Sequence, residues 1–436
     1  MMSTNQGSRK MGPIYERFLA LQLIGLMLSL SISEEGNLFV YTVKILSTAM
    51  PLLSCCGLLV LSRGVEAGFS RSFYTFRYIW LLGAMATVGC LWAADSPYSI
   101  GKVIIFMVTF SALTCALVQY EFVDAKRRAD VLSRHVLYAC FVLLAVMVMN
   151  YFVFNIGGGD SERHRAGGNL IAPTNAAATV GLSLLISLHF TVKLAPERKN
   201  PHLHAVAVAT LVMSIWALLV LSTRSAFICV VVALLLAPVL NGGFRLTYRR
   251  LLLGVTLFAS AAFTAANLSA LGNVLSRDMD TTSVWALSGR TWLWARVFED
   301  WTVWRAFSGY GFAAISEERG VRDWWTGETM FAGAHNAYLQ VLFGMGVFGL
   351  LLYFGFLRSF LRSMRVKHRA FVPAQHALRL AIFIYFVTFS VTEHLFGLNV
   401  TPAFFLVCCV LASSRHRTIC ERNELRHSSE GDHGGY

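Results

Sequence analysis

The feature that most constrains this chain is the recurrence of uninterrupted apolar runs near the roughly twenty residues that a hydrocarbon layer demands of a helix. They fall at 18–33, 38–61, 78–94, 98–120, 135–156, 173–193, 203–222, 224–240, 251–270, 335–357, 376–396 and 398–413. In hydrocarbon every backbone N–H and C=O must find its partner within the chain, so only helices and closed barrels can cross. Runs this long, without strict alternation, choose helices. The sequence therefore predicts an all-α, polytopic membrane protein of about twelve transmembrane helices, or eleven if a short terminal run does not cross. Composition agrees: 56% of residues are hydrophobic and 14% charged, against roughly a quarter charged in soluble domains. Residues 1–436 read as a single integral membrane domain. The polar tail 414–436 reads as a disordered cytoplasmic extension. Residues 1–17 hold no small-x-small cleavage site before a hydrophilic mature chain, so the first apolar run reads as a retained helix.

The net charge of +13 does not point to nucleic acid, because the basic residues sit in short loops between spans. Arg63, Arg71 and Arg77, then Lys126, Arg127, Arg128 and Arg134, then Arg245, Arg249 and Arg250, then Arg358, Arg362, Arg365, Lys367 and Arg369 fall on one side. Such enrichment marks cytoplasmic loops. Both ends are then cytoplasmic, and the long polar loop 271–334 between the ninth and tenth spans lies outside. Of the nine cysteines, all but Cys420 fall in apolar runs, and none has metal-ligand spacing. Neither a disulfide nor a metal site is expected.

The outer side carries the residues with chemical potential. Arg224 sits in the tight break Ser222-Thr223-Arg224-Ser225. It suits a phosphate clamp, since a guanidinium binds phosphate bidentately, and equally a snorkelling anchor. Arg163 and Arg165 precede Gly167-Gly168 and Pro173-Thr174-Asn175, in a loop that can wrap an anion or simply be solvated. Arg290 opens a segment with Trp292, Trp294, Val297, Phe298, Trp301 and Trp304, whose helical spacing predicts a helix lying on the outer membrane face. His335 and Asn336 begin the tenth span from outside, with Tyr338 one turn on. A neutral imidazole there can take a proton from a hydroxyl, or merely close a helix start. Glu393 and His394 end the eleventh span, as substrate contacts or as a snorkelling pair. Asp278-Met279-Asp280 reads as two solvated acids.

Taken together, Ser288-Gly289-Arg290…Trp294, Gly309-Tyr310-Gly311-Phe312 and His335-Asn336-Ala337-Tyr338-Leu339-Gln340…Gly346-Val347-Phe348-Gly349-Leu350 resemble the O-antigen ligase/polymerase superfamily. Arg165-Ala166-Gly167-Gly168…Pro173-Thr174-Asn175 and the Arg224 break belong to the same resemblance. So does the layout of about twelve spans with a large periplasmic loop, containing an interfacial helix, between helices 9 and 10. The resemblance implies a multi-pass protein of the bacterial inner membrane with its active site facing the periplasm. It implies transfer of a glycan from undecaprenyl pyrophosphate to an acceptor hydroxyl, with no metal or other cofactor and with inversion. Arg224, Arg290 and Arg165 would hold the donor pyrophosphate and His335 would serve as base. Arg163, Asn336, Tyr338, Glu393 and His394 are candidate substrate contacts. The acceptor is lipid A–core for a ligase, or a growing glycan for an O-antigen or exopolysaccharide polymerase.

The spacing from His335 to Gly346 resembles the ligase pattern, whereas the Arg-x3-Leu pattern is not met at Arg290, where position 294 is Trp. The rival of a different class is a transporter. Against it, residues 62–77 lack the Gly-x3-Asp-Arg form of a major-facilitator carrier, and the one long loop is off-centre, which breaks two-half symmetry.

Overall fold

Pro13, Pro173, Pro201, Pro373 and Pro402 each stand at the first position of a helix. There the missing N–H costs nothing and the fixed φ favours the helical turn. The computed structural model describes residues 13–31, 38–61, 65–93, 96–155, 173–194, 200–221, 224–241, 298, 301–314, 334–364, 373–393 and 400–413. In chain order the helices are α1 (Pro13–Ser31), α2 (Leu38–Leu61), α3 (Val65–Gly89), α4 (Ser96–Gln119), α5 (Ala125–Asn155), α6 (Pro173–Leu194), α7 (Pro201–Leu221), α8 (Arg224–Asn241), the short α9 (Val303–Ser308), α10 (Ala337–Met364), α11 (Pro373–Thr392) and α12 (Pro402–Ser413). The described residues contain no strand. The segments 13–31, 96–122, 127–152, 201–220 and 337–363 are long and apolar enough to cross a membrane.

Apart from 251–270, which lies outside the described residues, each apolar run of the sequence coincides with a helix. Several helices continue past their apolar run. α3 and α5 begin with polar turns at Val65 and Ala125, and α10 reaches Met364.

Packing follows side-chain size and the few buried polar groups. α6 carries Ala176, Ala177, Ala178 and Gly181, and this small-residue face lets α11 approach. Tyr385 of α11 donates its hydroxyl to the Ala178 carbonyl at 3.2 Å, and a Cβ on Gly181 would collide with the ring. α1, α2 and α4 are tied by Gln119, which donates to Gln22 Oε1 at 3.1 Å and to the Pro51 carbonyl at 3.3 Å. Gln22 in turn donates to Ser54 at 2.9 Å. In an apolar bundle such bonds fix which faces meet. Between α4 and α5, Arg128 binds Glu121 Oε2 at 2.6 Å and the Glu121 carbonyl at 2.6 Å. α11 is the central mount: it packs on α6, α8 and α10, while α10 also packs on α3.

Candidate active site

The start of α10 is built by its own sequence. Asn336 caps it, with Oδ1 accepting the Leu339 N–H at 3.0 Å. Gln340 reaches back, its Oε1 accepting the Ala334 N–H at 2.8 Å. The first satisfies a donor that a helix start leaves unpaired, and the second pairs an N–H in the backbone leading into the helix. They also hold the residue between them, His335, in the left-handed region at φ 46. Non-glycine residues rarely adopt that region unless their surroundings impose it, and such residues cluster at functional sites. One turn on, the Tyr338 hydroxyl donates to the Val387 carbonyl of α11 at 3.0 Å. α10 is thereby locked to α11 just below the imidazole.

The consequence is a contact between residues far apart in sequence. His335 Nδ1 lies 3.0 Å from Glu393 Oε2 at the end of α11. The histidine side chain is 15% exposed and the carboxylate 8%. The Glu393 backbone N–H still bonds to the Phe389 carbonyl at 2.9 Å, so the side chain projects from the last helical turn. With Nδ1–H donating to the carboxylate, the imidazole is held in one orientation with its lone pair on Nε2. A partly buried imidazole so held can accept a proton from a hydroxyl.

A second assembly supports the first. Within α10, Gly346 has φ 66 and breaks the helix. The carbonyls released above the break are taken by another segment: Tyr310 N–H donates to Phe343 O at 2.7 Å, and Gly311 N–H to Gly344 O at 3.1 Å. Side-chain-free positions make the approach possible. A Cβ on Gly309 would strike the Gly344 backbone, and one on Gly346 the Phe307 carbonyl. Ser99 of α4 donates to Phe312 O at 2.8 Å, and Trp92 to Ser308 O at 3.3 Å. The two glycine motifs thus form one interlock that anchors α9 to the broken helix and satisfies its backbone, as an apolar medium requires.

The tryptophan segment differs from its sequence reading. Thr302 is extended (φ −93, ψ 161) and caps a new helix at Val303, so one continuous helix does not run through Trp301 and Trp304. Trp304 is exposed, as an interfacial residue would be. Trp301 instead turns inward onto Phe343, with ring centroids 5.4 Å apart. The Arg305 guanidinium lies over the Tyr310 ring at 4.8 Å. The sequence spacing could not reveal the break, because Thr is tolerated in a helix and favoured before one.

Of the site residues named from sequence, His335, Asn336, Tyr338 and Glu393 come together. Arg163, Arg165, Arg290 and His394 lie outside the described residues. Arg224 is the first residue of α8. Its helix packs along α11, with Cys229 and Thr388 as neighbours across the seam. Missed altogether was Gln340 as a backbone staple. Its position just beyond an Asn cap, close to that of the Gln or Glu in a capping box, was the available signal.

The fold and this corner define a polytopic helical membrane protein with a histidine–carboxylate pair between the ends of two packed helices. Residues 209–354 match the family model described as O-Antigen ligase. A search of curated proteins returned no match. The matched stretch runs from within α7 through the interlock and His335, and over that stretch the chain is similar to the O-antigen ligase family. Glu393 lies beyond the matched stretch.

Proposed function

We propose that this protein transfers a glycan from an undecaprenyl-pyrophosphate carrier to an acceptor hydroxyl at the periplasmic face of a bacterial inner membrane, and that lipid A–core is the acceptor. The observation that carries the reading is the 3.0 Å contact between His335 Nδ1 and Glu393 Oε2. Glu393 fixes the tautomer, and His335 Nε2 removes the proton from the acceptor hydroxyl as its oxygen attacks the anomeric carbon. The bond from that carbon to the pyrophosphate oxygen breaks, and the carrier leaves as its pyrophosphate. Attack from the face opposite the leaving group inverts the anomeric centre.

The leaving group gathers negative charge, which fixed guanidinium groups stabilise without reorganising. Arg224 suits that task. It lies five positions before Cys229, and Glu393 lies five positions after Thr388, so at 1.5 Å per residue the two ends lie at about one level. Arg290 and Arg165 complete the anion site in this reading, with Arg163 and His394 as outer contacts.

The test uses purified protein with undecaprenyl-pyrophosphate glycan and lipid A–core in EDTA. A single joining of glycan to lipid A–core supports the ligase. A glycan that lengthens while still on its carrier identifies a polymerase instead. No transfer to either acceptor contradicts the proposal. A periplasm-dependent reporter fused after Gly320 should be active, and activity of a cytoplasm-dependent reporter there would overturn the topology.

A further inference from the structure

Tyr338 and Tyr353 stand fifteen positions apart in α10, which in a straight helix sets them about 22 Å apart at 1.5 Å per residue. Their ring centroids lie instead 5.7 Å apart, edge to face, and the Tyr338 ring stacks on Phe354 at 5.9 Å. The break at Gly346 therefore folds the helix back on itself. The turn is tight, since a Cβ added to Gly349 would meet Val341 Cγ1 at 3.5 Å and collide with Met345. α10 is a short limb, residues 337–345, doubled against a long limb, residues 347–364. The long limb lies along α11, with Phe360 stacked on Phe383 at 5.3 Å and the Tyr353 hydroxyl 3.4 Å from that of Ser390. The interlock grips the short limb near the turn, at Phe343 and Gly344. His335 heads the other end, on the order of 10 Å away. There the Asn336 and Gln340 bonds run within the segment itself, whereas the Tyr338 hydroxyl crosses to the Val387 carbonyl of α11 at 3.0 Å.

We infer that Tyr338 is a positioning residue for the His335–Glu393 pair and not a contact of the substrate. The inference rests on that pair acting as base and orienting acid in the proposed transfer. Val387 lies inside α11, where a helical N–H already serves its carbonyl. The tyrosine bond is therefore not needed to satisfy that carbonyl. What it adds is a fixed distance between the short limb and the helix that carries Glu393. The hydroxyl is directed at backbone, so it is not offered to a sugar. Without that bond the short limb keeps its fold but can tilt about Gly346. A shift of about 1 Å at the imidazole takes the 3.0 Å contact with Glu393 out of hydrogen-bond range. A misplacement of about 1 Å can cost about 10²-fold in rate.

Two readouts on the full-length protein in bilayers test this. The first needs no substrate: solid-state NMR of ¹⁵N-histidine-labelled protein, with the His335 signals identified by their loss in His335→Gln. Wild type should show one form, protonated on Nδ1, and Glu393→Gln the form protonated on Nε2. Tyr338→Phe should show a mixture of the two. The second readout is transfer kinetics. Tyr338→Phe should lower kcat by up to about 10²-fold, with KM for the lipid-linked glycan and the melting temperature near wild type. It should add no further loss in the Glu393→Gln background. Tyr353→Phe, which loosens the same seam on the limb that does not carry the base, should leave kcat unchanged, whereas a merely structural role would make the two variants alike. Tyr338→Met, unbranched and able to fill the gap, stands in if the Phe variant fails to fold. Wild-type His335 signals in Tyr338→Phe overturn the inference. So does a raised KM at unchanged kcat, the mark of a substrate contact, and so do losses that multiply with Glu393→Gln. The expected NMR mixture in a protein that transfers no glycan would support the positioning and contradict the proposed function instead.

Discussion

His335 and Glu393 approach to 3.0 Å although the whole of α10 and α11 separates them along the chain. The geometry brings together the residue just before one helix and the residue just after its neighbour. Neither element alone could hold a base with its orienting acid.

Glu393→Gln isolates the tautomer. The amide can donate to Nδ1, which moves the ring proton to Nε2 and removes the lone pair that the reaction needs. The rate of transfer should fall by about 10²-fold or more, the range for general-base assistance, with protein level and melting temperature near wild type. Glu393→Asp keeps the charge on a shorter side chain and should fall less. A Gln variant as fast as wild type would remove Glu393 from the mechanism.

The helix-start bonds are separable from the chemistry. Asn336→Ala should cost about 1 kcal/mol of stability, as losing an Asn cap does. Gln340→Ala should lower kcat more than its effect on melting suggests, because it releases the backbone that holds His335 at positive φ. Thermal unfolding in detergent beside single-turnover rates separates the two effects. Equal proportional losses in both variants would argue against a positioning role for Gln340.

Gly346→Ala tests the interlock. The substitution adds a methyl at φ 66 and against the Phe307 carbonyl. With ψ at −168 this is backbone essentially reserved for glycine, where another residue costs about 1–3 kcal/mol, so a clear fall in melting temperature is expected, with reduced yield. Gly57→Ala, where an added methyl meets nothing, serves as the control and should be near neutral. Equal melting temperatures for the two would mean that the break in α10 is not held as described.

Much of the helical layout is legible in the sequence, because hydrocarbon leaves an apolar run one structural option. Pro13, Pro173, Pro201 and Pro373 even mark helix starts. The site is legible only in part. His335 stands out because a polar, titratable residue heads an apolar run, but nothing in the local pattern names its partner. Glu393 looks like any acid at a span end until α10 and α11 pack. The break at Gly346 is hidden for the same reason. Gly344, Gly346 and Gly349 suggest a weak point in the span, but only the carbonyls taken by Tyr310 and Gly311 show why it opens there. Thr302 illustrates the converse, a residue whose capping power decides between one long helix and two.

The most direct test of the central claim, that His335 and Glu393 act as one unit, is a double-mutant cycle on single-turnover transfer with His335→Ala, Glu393→Gln and the pair combined. His335→Ala should lose about 10²–10⁴ in rate while still binding the lipid-linked donor. Once the base is gone its orienting acid has nothing left to orient, so the double variant should be no slower than His335→Ala alone. Losses that multiply would show two independent residues, and a His335→Ala protein transferring at the wild-type rate would contradict the account outright.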